Sequence, residues 1–196
     1  VLVAHVMRVA PYSIQIVAFQ APGALDYVVY AGLGLICAAV GIVIMRLVGT
    51  AERLVRQTRI PTWLQPGIGG VLLAGLAFLS PQTLSSGHGA LHIDLATTLG
   101  LGALAAIFML KMTASVVSLG FGFRGGLFFA SLFLGSLVGQ IYARVMGLAG
   151  LPLPIHPENA ALVGMGALAV AVVGGPLTMS FLVLETTRDF GVSAAT

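Results

Sequence analysis

The sequence predicts an all-α, polytopic membrane protein in which some helices are broken or half-length. Three observations carry that expectation. First, 58% of the 196 residues are apolar, only 8% are charged and the mean hydropathy is +1.06, whereas a water-soluble domain carries about 25% charged residues. So few charges cannot cover a solvated surface, and the bilayer is the solvent that accepts an apolar exterior. Second, several charge-free runs approach the roughly 20 residues that a spanning helix needs. Third, these runs are rich in Leu, Ala and Gly and alternate weakly, which argues against a membrane β-barrel. The same composition excludes a cytosolic enzyme, a nucleic-acid module and a disordered tail. The net charge of +3 is a topology signal rather than a nucleic-acid footprint, because the cations are few and gather in one connection.

Each element follows from the charge-free intervals and the breakers between them. Residues 5–18 read as the tail of one helix, interrupted by Pro11. Residues 27–45 carry no charge and continue amphipathically to about Arg56. Residues 60–93 contain no Lys, Arg, Asp or Glu; Pro66 opens a helix there and Ser80-Pro81 closes it. Residues 95–110 form a third run, reaching about Ser118, and residues 125–143 a fourth. Glu158 and Glu185 bracket a fifth, which Gly174-Gly175-Pro176 splits into two short helices. Pro176 suits a first helical turn, where its missing N–H would have no acceptor anyway. Turns are expected at residues 20–23, 58–65, 80–94 and 147–158, the last with Pro152, Pro154 and Pro157. The chain opens on Val1 inside an apolar stretch and stops soon after Asp189. Residues 1–196 are therefore expected to be part of one membrane domain, incomplete at both ends.

Lys/Arg placement sets the expected orientation. Arg46, Arg53, Arg56 and Arg59 surround one connection, opposed only by Glu52, so that end is expected to be cytoplasmic. The following helices then alternate outward, inward and outward, and the Pro-rich loop before Glu158 lies outside. Arg144 is the misfit near an outer end, where its head can snorkel to the headgroups.

The most informative stretch for function is residues 118–139. Gly120, Gly122, Gly125 and Gly126 fall within seven residues, between two apolar runs. A glycine-rich break at membrane depth exposes backbone groups, which is tolerated only under protein cover or beside a polar cavity. The helix starting near Gly126 presents N–H groups and the positive end of its dipole, an anion site that needs no charged side chain. Such a site can bind well enough to admit an ion and weakly enough to release it. The bland alternative is that these glycines serve close helix packing, as Gly135-xxx-Gly139 is expected to do. Arg124, a cation inside an apolar segment, is expected to face a cavity or a partner. In the fifth run, half-helices broken at Gly174-Gly175-Pro176 are the transporter device for aiming helix ends at a site.

These two stretches resemble the CLC family of voltage-gated-type chloride channels and proton/chloride antiporters. Gly125-Gly126-Leu127-Phe128 resembles the family's GxFxP motif. Val163-Gly164-Met165-Gly166-Ala167-Leu168, then Gly175-Pro176-Leu177-Thr178 and Leu182-Val183-Leu184-Glu185-Thr186-Thr187, resembles its later GMxA…PLT…lvlE motif. Pro81-Gln82 with Gly87-His88-Gly89 resembles a loop of the same family. The resemblance spans the whole chain, as the second half of a CLC inverted-repeat membrane domain. It implies anion transport, with chloride or a similar small anion held by the backbone amides of Leu127 and Phe128 after Gly126, beside Arg124. It also implies a homodimer whose interface includes the short helix from Pro176, with Leu177, Phe181 and Leu184 on its apolar face. The expected location is a membrane, a bacterial inner membrane by resemblance, with lipid as the remaining partner. Two departures stand out: Ala130 occupies the position of the motif's proline, preceded by Phe129, and Arg124 sits where the family often has a small residue or proline. The family's Gly-Ser-Gly-x-Pro and G-x-E-G-P motifs have no match here, and its pore tyrosine would lie beyond Thr196.

The remaining polar residues suggest no enzyme, cofactor or metal site. Cys37, the single cysteine, reads as a small buried hydrophobe and permits no disulfide within the chain. His88 and His92 have helical metal spacing but sit in an expected loop with only Asp94 nearby. Glu185 reads as a structural interfacial carboxylate, Arg188 and Asp189 as a solvated turn. Lys111, inside a helix, either snorkels or lends positive potential to an inner vestibule. A second functional reading, a non-conducting membrane scaffold or truncated copy with no transport role, stays open beside anion transport.

Overall fold

A computed structural model describes residues 24–58, 60–79, 100–123, 127–148, 157–178 and 181. Regular structure in these residues is helical, in five helices: α1 (Ala24–Gln57), α2 (Gln65–Leu79), α3 (Leu101–Gly120), α4 (Leu127–Leu148) and α5 (Pro157–Val173). Of these, α1, α3 and α4 are long and apolar enough to cross a membrane. The chain is a multi-pass integral membrane protein. With 15 residues, α2 is only about 22 Å long, and α5, with 17, about 26 Å, both short of roughly 30 Å of hydrocarbon. Shorter apolar helices thus accompany the three long ones.

The helix α1 runs without interruption through the first charge-free interval and its basic extension. Its buried face is Tyr30, Leu33, Cys37 and Ile44, spaced at three-, four- and seven-residue steps, the stripe of one helix side. The opposite side shows Val28, Leu35 and Ile42, which a lipid environment accepts. At its basic end Arg56 and Glu52 form an exposed ion pair at 2.6 Å. Pro66 is the second residue of α2, where a proline removes no helical bond, and Gln65 Nε2 donates to the Ile60 carbonyl at 3.1 Å.

The tightest packing joins α4 to α5, antiparallel. A Cβ at Gly139 would strike the carbonyl oxygen of Ala160 and sit 2.8 Å from Ala161 Cα; one at Gly135 would strike the Gly164 carbonyl and sit 2.8 Å from Met165 Cα. Backbones this close leave no room for a side chain. With no hydrophobic drive between helices in lipid, such small-residue contact is what lets them associate. The expected Gly135-xxx-Gly139 packing is therefore present, and its partner is the Ala160–Gly164 face of α5. Cys37 is fully buried against the same place, its Sγ 3.8 Å from the Gly164 carbonyl. From α4, Tyr142 Oη donates to the Val29 carbonyl of α1 at 3.1 Å.

The contacts also fix relative direction. Gly120 at the end of α3 faces Ala51 near the end of α1, and Gly69 early in α2 faces Phe121 just past α3. Tyr142 late in α4 meets Val29 early in α1, and Gly41 meets Ala171 of α5 as Cys37 meets Gly164. Hence α1, α3 and α5 run one way and α2 and α4 the other, the alternation expected from the arginines. α4 extends five residues beyond the expected boundary at 143, because Arg144 is a good helix former and half-buried rather than a breaker. α5 ends at Gly174 and Gly175, with φ of +81° and +78°, a left-handed pair that an L side chain adopts only under strain. The chain turns helical again at 176–178, with Pro176 in the expected first turn. The expected helix at 5–18, the loop 80–94 and the residues from 182 onward lie outside the described residues.

Candidate anion site

The site is built from the end of α3, a capped turn and the start of α4. α3 closes by two bonds characteristic of a left-handed helix end: Gly122 N–H donates to Leu119 O at 3.0 Å and Phe123 N–H to Ser118 O at 3.1 Å. Gly122 has φ +84°, the conformation this closure demands and glycine supplies. The terminal carbonyls of α3 are thus engaged by the turn itself. Gly69 of α2 braces the turn from outside, since a Cβ there would sit 2.6 Å from Phe121 Cβ and 3.0 Å from Phe123 Cε2.

α4 begins at Leu127, with no acidic residue in its first turn. Leu127 and Phe128, the expected anion-binding positions, are its first two residues and are half-buried. Their amides belong to the first turn, whose N–H groups have no acceptor within the helix. Gly126 and Arg124, the other two expected site residues, lie outside the described residues. The Phe128 and Phe129 rings meet edge to face, centroids 5.0 Å apart. Ser131 is buried and its Oγ donates to the Phe128 carbonyl at 2.7 Å, so the hydroxyl is turned back onto the helix. Among the described residues, the head of α4 is a helix end, the positive end of its dipole, carrying two aromatic rings.

The turn lies at the level of Ala51, which is six residues past Met45 and so about 9 Å further along α1. The glycine break therefore sits toward the basic end of the bundle rather than halfway along it. Arg53 and Arg56 are exposed at that end. Lys111 of α3 is buried, with Nζ 5.9 Å from the centroid of the Phe133 ring of α4. It folds inward onto α4 rather than outward to an interface.

This chain matches the family described as voltage gated chloride channel along residues 1–196. The chain belongs to the voltage gated chloride channel family. Among relatives of the family, a ClcB-like protein of Ralstonia nicotianae is 30% identical over 85% of this chain and 39% of its own length. The voltage-gated ClC-type chloride channel ClcB of Citrobacter koseri is 29% identical over 84% of this chain and 40% of its own. The protein of the same name from Escherichia coli O81 is 29% identical over 91% and 42%. The chain therefore spans about two fifths of the length of these relatives.

The sequence missed two features of the site. It marked four glycines as a break without showing that Gly122 carries the left-handed turn. It also gave no sign that Gly69, 53 residues before Gly122, is the glycine that lets α2 seat against that turn. Conversely, His88, His92, Asp94 and Glu185, weighed in the sequence, lie outside the described residues.

Proposed function

We propose that this chain forms one half of the anion pathway of a CLC-type channel or proton-coupled antiporter, moving chloride or a similar small anion across a bacterial inner membrane. The observation that carries the reading is the head of α4: a helix that begins at Leu127, four positions past Phe123 of the self-capped turn, with no acidic residue in its own first turn. Leu127 and Phe128 N–H groups are the proposed donors. Gly126 allows the anion to approach the backbone, and Arg124 adds positive potential nearby. A hydrogen bond to a charged group contributes about 1.5–3 kcal/mol and a helix dipole about 0.3–1 kcal/mol. Two amides and one helix end thus offset part of the anion's dehydration without trapping it. The work is transport, not catalysis, and no cofactor takes part.

Three facts support this reading: membership of the family, the names of the relatives, and the agreement of the GxF position with the start of α4. The exposed Leu177 and Phe181 support a homodimer through the segment after Pro176. The second reading, a non-conducting scaffold or truncated copy, draws on Ala130 in the motif's proline position. Chloride efflux from liposomes separates them. Flux from the full reading frame, but not from residues 1–196 alone, supports a half-pathway. No flux from either, for chloride, nitrate or fluoride, supports the scaffold.

A further inference from the structure

We propose that Gln140 loosens the seam between α4 and α5: its buried amide weighs against the close-packed arrangement and favours a parted one, which sets how fast the pathway turns over. This rests on the reading of α4 as part of the anion pathway. Gln140 is 4% exposed, and its Nε2 is buried with no hydrogen-bond partner among the described residues. The other buried polar side chains of α4, Ser131 and Ser136, donate to backbone carbonyls of their own helix. Gln140 is the exception. An unpartnered buried donor opposes the arrangement that buries it by about 5- to 150-fold. A methionine would fill a similar volume with no amide to satisfy. Local rules of this kind are broken where function requires it.

The place of Gln140 in the bundle gives the role its form. Successive helical residues step by about 100°, so Gln140 leaves α4 between two packed faces. On one side Gly139 meets α5 at Ala160. On the other, Leu137 and Ile141 pack with Leu104, Ile107 and Phe108 of α3. Ala160 is in the first turn of α5, and Pro157 and Glu158 just before it are exposed. A small outward movement of that turn therefore admits water to the amide. The desolvation cost falls on the packed arrangement alone, which is the differential free energy that a two-state element needs. Backbone contact at Gly135 and Gly139 favours the packed arrangement, and Gln140 opposes it. Leu127 lies about 20 Å further along α4, so Gln140 acts through the seam and does not touch the ion.

Cys37 reports the seam, since its Sγ lies 3.8 Å from the Gly164 carbonyl and Gly164 itself abuts Gly135 and Gly139. The test uses the full reading frame carrying Gln140→Met. Three quantities are measured: the rate of Cys37 alkylation by N-ethylmaleimide in liposomes, read by mass spectrometry of its peptide; chloride efflux from the same liposomes; and chloride Kd by titration calorimetry. Alkylation and efflux should both slow by about fivefold or more, while Kd stays within about twofold of the wild type. Gln140→Leu repeats the test with a differently shaped side chain and carries the same prediction. Wild-type alkylation, slowed alkylation with unchanged efflux, or failure of both variants to fold would overturn the proposal, because removing an unpartnered donor should tighten the seam. Those outcomes leave the α4 site standing, whereas absence of chloride binding and flux in the wild type would remove the α4 site and this proposal together.

Discussion

Replacing Gly139 by alanine is the sharpest structural perturbation available. The added Cβ would strike the Ala160 carbonyl oxygen and lie 2.8 Å from Ala161 Cα, both of them backbone atoms that cannot rotate away. Restoring that second contact to the 3.4 Å of ordinary packing needs a separation of α4 and α5 by about 0.6 Å, and clearing the carbonyl needs more. A radial gap of about 0.5–1 Å already forfeits a quarter to a half of the dispersion attraction. Overpacking costs about 1–3 kcal/mol, and backbone against backbone belongs at the upper end. Alanine's better helix propensity offsets about 1 kcal/mol. The net loss is then about 2 kcal/mol, near 30-fold in the folding equilibrium. Unfolding in mixed detergent–SDS micelles, followed by circular dichroism, measures it. Gly147→Ala is the control, on the same helix with nothing among the described residues within 4 Å of its Cβ, and should be neutral or slightly stabilising. Equal stability of the two variants would refute the close-packed α4–α5 contact.

Two further outcomes are expected. Gly69→Val places side-chain atoms where Phe121 and Phe123 now sit; it should destabilise by about 1–3 kcal/mol and raise chloride Kd, read by the same unfolding and calorimetric assays. Unchanged values in both would show that α2 does not brace the turn. Leu177→Lys puts a charge on a residue that is 74% exposed. If the segment after Pro176 forms the homodimer contact, light scattering in detergent should shift toward monomer, while a dimer of wild-type strength would place the interface elsewhere.

The parts of the fold set by local chemistry were legible in the sequence. Pro66 starts a helix because a proline in the first turn loses no bond, and Gly174-Gly175-Pro176 ends one because only glycine adopts two successive left-handed conformations without strain. Gly135 and Gly139, four apart, put two small residues on one helix face, so a packing seam could be expected. Its partner could not, because which face of α5 meets that seam is decided by the tertiary arrangement. Arg144 misled for a related reason: a charge marks the end of an apolar run, not of a helix. At the site, the residue types gave the start of α4 to within two residues. The turn's closure on Ser118 and Leu119, and its brace from Gly69, depend on geometry that no local pattern carries. The inward fold of Lys111 onto Phe133 is equally a product of how α3 and α4 cross.

The central claim, that the first-turn amides of α4 hold the anion, is tested most directly by Leu127→Pro. Proline is tolerated at the first helical position and deletes that residue's N–H while leaving the helix intact. Loss of one hydrogen bond to a charged ligand, about 1.5–3 kcal/mol, predicts a chloride Kd raised by about 10- to 100-fold in calorimetry on the full reading frame, with helical content unchanged. Chloride affinity equal to the wild type in a folded Leu127→Pro protein would contradict the account.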